Sequence, residues 1–282
     1  MAVERNWPRV TLVVPAKNEV KNIGTVLSRV PDEVDEVILV DAHSTDGTVE
    51  LARQLRPDVV VVYDDEPGKG AALRAGFRQA SGDYVAIIDA DGSMDPQELT
   101  RYFTHLSTGY ELVKGSRFMT GGLSTDITFI RRFGNRVLTV LSNVMFRQKF
   151  TDLCYGYLAF DRVRMQELGL ESTGFEIEAE IVAKAAMNGL HITEVPTYET
   201  PRLHGDSNLH AIRDGLRILR TLLQERARGR RVRTPEPTPI AVADYVDVHD
   251  PDNVMVTTSP NGARQKVGTL LETKDGVEGT VG

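Results

Sequence analysis

The stretch VAIIDADGSMDP, Val85 to Pro96, ends an apolar run in three aspartates: Asp89, Asp91 and Asp95. Side chains at i and i+2 of an extended segment point the same way, so Asp89 and Asp91 present two carboxylates to one side. They repel each other, and each is costly near a buried strand end unless a cation lies between them. An oxygen-only set suits Mg²⁺ or Mn²⁺, which bind one or two carboxylates together with substrate phosphates. The plainer alternative is a helix-start turn. That accounts for Asp95, directly before Pro96, but not for Asp89 and Asp91.

Other polar residues stand at comparable places. Asp41 closes the apolar run of VILVDAHSTDGT, where an acid accepts hydrogen bonds from a ribose or base or caps the next helix. Asp46, before Gly47 and Thr48, reads as a turn residue. GKGAALRAG lacks the spacing of a phosphate-binding loop. Its glycines either free a helix N-terminus to approach a ligand, with Lys69 as a nearby cation, or form a surface turn.

The elements that must hold these residues follow from the hydrophobic pattern. RVTLVVPA, VDEVILVDA, DVVVVYDD and DYVAIIDAD read as buried strands. EVKNIGTVLSRV, STDGTVELARQL, GKGAALRAGFRQA and DPQELTRYFTHL read as the helices between them. Continuous Val/Ile runs alternating with amphipathic helices predict an α/β fold, with a mostly parallel sheet covered by helices on both faces. Right-handed crossovers then bring the strand ends, and with them Pro15–Glu19, Asp41 and Asp89–Asp91, to one edge. Beyond Tyr110 the alternation stops. ELVKGSRF and GYLAFDR read as strands, and HITEVPTYETP as a last strand-like segment. FIRRFGNRVLTVLSNVMF, GFEIEAEIVAKAAMNGL and HAIRDGLRILRTLLQERARGRR read as helices.

The chain of 282 residues suits one domain with additions. We expect a single domain over 1–233, divided into a regularly alternating half at 9–110 and a less regular half at 111–233. An acidic tail at 234–282, opening with TPEPTP, is expected to be disordered. The single cysteine, Cys154, excludes an intramolecular disulfide. A net charge of −7 argues against nucleic acid as a partner. No run reaches the ~18 apolar residues of a membrane helix. The expectation is a cytoplasmic protein, or one attached peripherally to the cytoplasmic face of a membrane.

Taken in order, VVPAKNEVKNI, VDAHSTDGT, GKGAALRAGF and DADGSMDP resemble family 2 glycosyltransferases. GSRF, RRFGNRVLTVLSN, TDLCYGY, GFEIEAEIVAKA and VPTYETPRLHGDSNL resemble the dolichol- and polyprenyl-phosphate mannosyl- and glucosyltransferases. The resemblance runs from about Arg9 to Leu223. It implies a Rossmann-like nucleotide-diphospho-sugar transferase fold of the GT-A type, a nucleotide-diphosphate-sugar donor, Mg²⁺ or Mn²⁺, and inversion at the anomeric carbon. It further implies that Pro15, Asn18, Glu19 and Asp41 contact the nucleoside, and that Asp89 and Asp91 hold the diphosphate through the metal. Arg117, Arg131 and Arg202 would face phosphates of donor or acceptor. The chain departs from the pattern at Ala42-His43, where a second acid and a glycine are usual, and at Gly92-Ser93.

Physical chemistry narrows the acceptor. A phosphate monoester, with a second pKa of about 6, is already anionic and needs cations rather than a base. Arg117, Arg131, Arg132 and Arg202 are more arginines than a neutral hydroxyl requires. The expected reaction moves a hexose from GDP-mannose or a UDP-hexose to a polyprenyl or dolichyl phosphate. For a hydroxyl acceptor, on a soluble small molecule or a glycan, Asp152 is the candidate base. A nucleotide-sugar sensor without turnover is the alternative of another class. In the last helix Ile212, Leu216, Leu219 and Leu223 fall at helical spacing among many arginines, so 211–233 reads either as an interfacial membrane helix or as a packed helix with a solvated basic face.

Overall fold

In the computed structural model the described residues are 8–205, 209–229 and the strand segments 254–258 and 264–269. The elements run β1 (Val10–Ala16), α1 (Ile23–Leu27), β2 (Glu36–Asp41), α2 (Thr48–Leu55), β3 (Val60–Tyr63), α3 (Lys69–Gln79) and β4 (Tyr84–Ile87). There follow α4 (Leu99–Ser107), β5 (Leu112–Ser116), β6 (Leu123–Ser124), α5 (Phe129–Phe146), β7 (Leu158–Asp161), α6 (Arg162–Glu167) and α7 (Ile177–Asn188). The last are β8 (Ile192–Pro196), β9 (Tyr198–Glu199), α8 (Ala211–Arg228), β10 (Val254–Thr258) and β11 (Arg264–Thr269).

Seven strands form one sheet in the order β3-β2-β1-β4-β7-β5-β8. All pairings are parallel except those of β7, which runs antiparallel between β4 and β5. Helices cover both faces. Ile23 and Val26 of α1, Val49 of α2 and Leu99 and Phe103 of α4 pack against Leu12, Val14, Val37 and Leu39 on one side. Leu73 and Phe77 of α3, Ile181 and Val182 of α7, and Leu222 of α8 pack on the other, with Val13, Ile38, Val85 and Ile87. Side chains alternate between these faces along each strand, and burial on both faces explains the unbroken Val/Ile runs. At Gly76 α3 crosses close to the sheet: a Cβ there would lie 2.4 Å from Val13 Cγ1 and 2.9 Å from Val40 Cγ2.

The first expected helix is shorter than its sequence span. Only Ile23–Leu27 is helical, because the Asn22 amide donates to Glu19 and to the His204 carbonyl, and Pro31 forbids continuation soon after. Of the expected tail, the described part is an antiparallel pair of β10 and β11, in a compact unit separate from that of the sheet. The remainder of 234–282 lies outside the described residues. Among the described residues no helix is long and apolar enough to cross a membrane.

Candidate active site

The sheet places a cluster of charge just beyond β4. Lys69, at the first turn of α3, brings its Nζ 2.6 Å from Asp89 Oδ1 and 2.8 Å from Glu178 Oε1 of α7. Arg202, on the segment after β9, brings Nη2 3.0 Å from Asp91 Oδ2 and Nη1 3.2 Å from Glu19 Oε1. Asp91 Oδ1 also accepts from the Ser93 backbone N–H at 3.0 Å. Both carboxylates are therefore tolerated near the strand end by side-chain cations. Burial raises the Asp89 carboxyl, Lys69 pulls it down, and Asp91 and Glu178 push it up again; the net position is about 6. Burial also disfavours charge on Lys69, but Asp89 and Glu178 outweigh it and hold the ammonium well above its ordinary range.

The edge expected to face the nucleoside is built from two loops fastened together. The Asn18 backbone N–H donates to Ser44 Oγ at 2.8 Å, and the Thr45 N–H donates to Asn18 Oδ1 at 2.9 Å. Asn18 and His43 both adopt left-handed backbone, φ 57° and 56°, to make this crossing. Pro15 sits one residue before the end of β1, opposite Val40. Asp41 is fully buried. Its Oδ2 accepts from the Ser44 N–H at 2.9 Å, whereas its Oδ1 has no hydrogen-bond partner among the described residues. Glu19, also expected at the nucleoside, has its Oε2 held by Asn22 and its Oε1 by Arg202, the arginine that also pairs with Asp91.

The expected phosphate-facing arginines divide. Arg117, following β5, is nearly buried and bonded to Asp152 through Nε at 2.7 Å, to Glu199 at 3.1 Å and to the Cys154 carbonyl at 3.0 Å. Its planar face lies over Tyr155, 4.5 Å from the ring centroid. Arg131, on the first turn of α5, has one distant partner, Asp126 at 3.9 Å, and Arg132 lies over the Phe118 ring at 5.6 Å. Arg117 and Arg131 line a cleft of ≈ 250 Å³ between α5 and α8, whose apolar wall includes Ile130, Phe133, Ile212 and Ile218. Asp152 is not a base within reach of an acceptor. It is fully buried, and its carboxylate accepts from Arg117 at 2.7 Å and Asn135 at 2.9 Å.

Helix α5 carries apolar residues on both sides. Its buried side holds Leu138 and Phe146 together with Asn135, Thr139 and Ser142; Asn135 Oδ1 accepts from the Cys154 N–H and Thr139 Oγ1 from the Leu153 N–H. Its outward side carries Phe129, Ile130, Phe133, Val140 and Val144, from 55% to 82% exposed. Helix α8 has two apolar stripes. Ile218 and Leu222 pack inward, while Ile212, Leu216 and Leu223 are exposed beside Arg213, Arg217 and Arg220. Arg230, Arg231 and Arg233 of the expected basic segment lie outside the described residues.

The model of the family described as "Glycosyl transferase family 2" matches residues 11–169, spanning β1 to α6. The chain belongs to glycosyl transferase family 2. Glycosyltransferase AglJ of Haloferax volcanii is 37% identical over 211 residues, 73% of this chain and 68% of that one. The undecaprenyl-phosphate mannosyltransferase of Micrococcus luteus is 32% identical over 71% of this chain and 87% of its own. The polyprenol monophosphomannose synthase of Mycolicibacterium smegmatis is 30% identical over 74% and 83%. In fold, the chain is similar to a Mycobacterium tuberculosis glucosyl-3-phosphoglycerate synthase solved with Mn²⁺, UDP and glucosyl-3-phosphoglycerate. The TM-score is 0.61 at 20% identity, covering 92% of this chain and 87% of that one.

For this family 2 glycosyltransferase the donor set can be tested against a divalent ion. Among the described residues no cluster of three or more His, Cys, Asp or Glu side chains is placed to hold one. In the expected site Asp89 and Asp91 would supply the hard oxygen donors, leaving a diphosphate and water to complete the shell. That pattern fits Mg²⁺ or Mn²⁺, which keep waters and take substrate phosphates. Sequence reasoning overlooked Glu178 and Glu199. Their signal is weak: Glu178 is one of three glutamates, with Glu176 and Glu180, in GFEIEAEIVAKA, and Glu199 stands among polar residues in VPTYETP, so only their burial marks them as carboxylates that require a cation.

Proposed function

We propose that this enzyme transfers a hexose from a nucleotide-diphosphate sugar, GDP-mannose or a UDP-hexose, to the phosphate of a polyprenyl or dolichyl phosphate, with inversion. The carrying observation is the α5–α8 cleft: an apolar trough of Ile130, Phe133, Ile212 and Ile218 meets two arginines, Arg117 and Arg131. Such a cleft complements an amphiphile with an isoprenoid chain and a phosphate head. A soluble hydroxyl acceptor would leave the apolar wall without purpose, and Asp152 is too enclosed to act as its base. The names of the M. luteus and M. smegmatis relatives support the same acceptor class.

Each side chain then has a task. Asp41 Oδ1 offers a free acceptor toward the nucleoside edge, where Pro15 and Asn18 shape the loop. Asp89 and Asp91 hold the divalent ion. When bound, Mg²⁺ or Mn²⁺ supplies charge neutralisation to the departing diphosphate. Lys69 and Arg202, displaced from the aspartates, are the cations nearest the leaving group. Arg131 and Arg132 orient the acceptor phosphate, whose anionic oxygen attacks the anomeric carbon without a general base. Asp152 and Glu199 fix Arg117 at the cleft wall. The exposed apolar residues of α5 and α8, with their arginines, seat the cleft on the anionic cytoplasmic face of a membrane, from which the lipid enters.

The test is a transfer assay with the full chain and Mn²⁺, pairing GDP- and UDP-sugars with polyprenyl phosphate, free polyprenol or no acceptor. A lipid-linked sugar formed only with the phosphorylated acceptor is the expected product. Equal transfer to free polyprenol or to glycerol would overturn the acceptor assignment. Absence of both transfer and donor hydrolysis with every nucleotide would favour a binding protein.

A further inference from the structure

Lys69 stands between two carboxylates rather than against one, and the backbone fixes it there. Glu178, in the first turn of α7, is 8% exposed, and its Oε1 lies 2.8 Å from Lys69 Nζ. Three segments converge on the pair. The Ala71 N–H of α3 donates to the Thr173 carbonyl at 3.1 Å, which ties the start of α3 to the turn before α7. A Cβ on Gly70 would lie 2.6 Å from the Ser172 carbonyl oxygen, and one on Gly68 2.2 Å from the Thr173 carbonyl oxygen, so the two backbones meet where both glycines lack side chains. A Cβ on Gly156 would lie 2.3 Å from Glu178 Oε1 and 2.7 Å from Lys69 Nζ. The glycine of TDLCYGY thus leaves open the space in which the two side-chain ends meet.

The charges have a consequence for Asp89. Were Lys69 to face Asp89 alone, the pair would be neutral. A divalent ion would then have to break an ion pair and strand a buried ammonium, at high desolvation cost. With Glu178 behind it the triad carries a net charge of −1. Lys69 keeps a partner while Asp89 turns to the ion. The same layout recurs across the site, where Arg202 is shared between Asp91 and Glu19. Each metal-facing aspartate shares its cation with a glutamate at the rear.

We infer that Glu178 is a positioning residue of the metal site, retaining Lys69 when a divalent ion takes Asp89. The inference rests on the proposed metal role of Asp89 and Asp91. It is tested by Mn²⁺ binding to the full-length protein without nucleotide, read by electron paramagnetic resonance of free Mn²⁺. The proteins are the wild type, Glu178→Gln, Lys69→Met and their double variant, each checked for a cooperative thermal melt. Glu178→Gln is expected to weaken Mn²⁺ binding about 10-fold, and to change it less than about 3-fold in the Lys69→Met background, the coupling expected of residues in contact. Gly156→Ala keeps both charges, crowds them apart, and is expected to weaken Mn²⁺ in the same direction. Equal weakening with and without Lys69 would mean that Glu178 acts by its field alone, and would overturn the inference. So would unchanged affinity in a folded Glu178→Gln, or in a folded Gly156→Ala if the former does not fold. Failure of the wild type itself to bind Mn²⁺ would instead remove the metal reading on which the inference stands.

Discussion

Arg202 and Asp91 form an ion pair at 3.0 Å, so the carboxylate proposed to take an external cation already serves a side-chain one. The two cannot hold Asp91 Oδ2 at once. Arg202→Ala is therefore expected to tighten nucleotide-free Mn²⁺ binding by roughly 10-fold, the scale of one solvent-screened ion pair at this distance, while weakening GDP or UDP in the presence of Mn²⁺. Calorimetric titration of metal and then nucleotide reads both. A variant that loses affinity for both would show that Arg202 supports the site and does not compete for it.

The buried Arg117–Asp152 pair predicts a stability effect. Breaking it from one side leaves an uncompensated charge, so Arg117→Leu or Asp152→Ala should cost about 3–5 kcal/mol. Chemical denaturation of each variant measures this. Full retention of stability with loss of transfer in Asp152→Ala would restore Asp152 as a chemical participant.

The same pair predicts a pH dependence. Burial would raise the Asp152 carboxyl, but the charge and hydrogen bonds of Arg117 outweigh burial and hold it below the ordinary range. A depressed carboxyl stabilises the fold fully above its unfolded pKa of about 3.9, and that contribution fades as pH falls through the lower folded value. Melting curves from neutral pH downward should show the gap between wild type and Asp152→Asn constant until about pH 4, then narrowing. A gap of constant width at every pH would contradict the assignment.

The outward faces of α5 and α8 predict membrane association that depends on apolar residues as well as charge. Phe133→Asp and Val144→Asp lie on exposed sites, so each should change stability by no more than about 0.5 kcal/mol. Both should lower sedimentation with vesicles containing anionic lipid, and added salt should lower it further. Deleting the chain after Glu199 is not an equivalent test, because it removes Ile218 and Leu222 from the core. Leu222→Ala alone should cost about 2–5 kcal/mol. Vesicle binding unaffected by Phe133→Asp and Val144→Asp together would locate the contact elsewhere.

Much of the site was legible before any coordinates. A doubly buried strand that stops in Asp-Ala-Asp states its own electrostatic problem, and the edge where such strands end is fixed by handedness. Less legible was which cation answers it. Lys69 was readable as a cation near a helix start, but not as a partner of Glu178, from which it is separated by 109 positions. Arg117 read as a phosphate ligand because arginine suits phosphate; its engagement by Asp152 and Glu199 depends on how β5, β9 and the segment after α5 meet. Of the expected stripe in α8, Ile212, Leu216 and Leu223 face outward while Leu219 packs partly against the core, because a second stripe, Ile218 and Leu222, fills it.

The amino-acid sequence by itself determined the alternation of strands and helices, the gathering of Asp41, Asp89 and Asp91 at one sheet edge, and membership of the family. These are local properties: residue periodicity, the residues that end a strand, and short motifs in order. Only the tertiary structure decided that Arg202 reaches across 183 positions to Glu19, that Glu178 stands behind Lys69, and that α5 leaves Phe129, Phe133 and Val144 outward. A buried charge is stable with any well-placed opposite charge, and a helix with two apolar stripes is content with either inside. The choice is made when the elements pack, where close approaches such as Gly156 against Glu178 and Lys69 leave room for one arrangement.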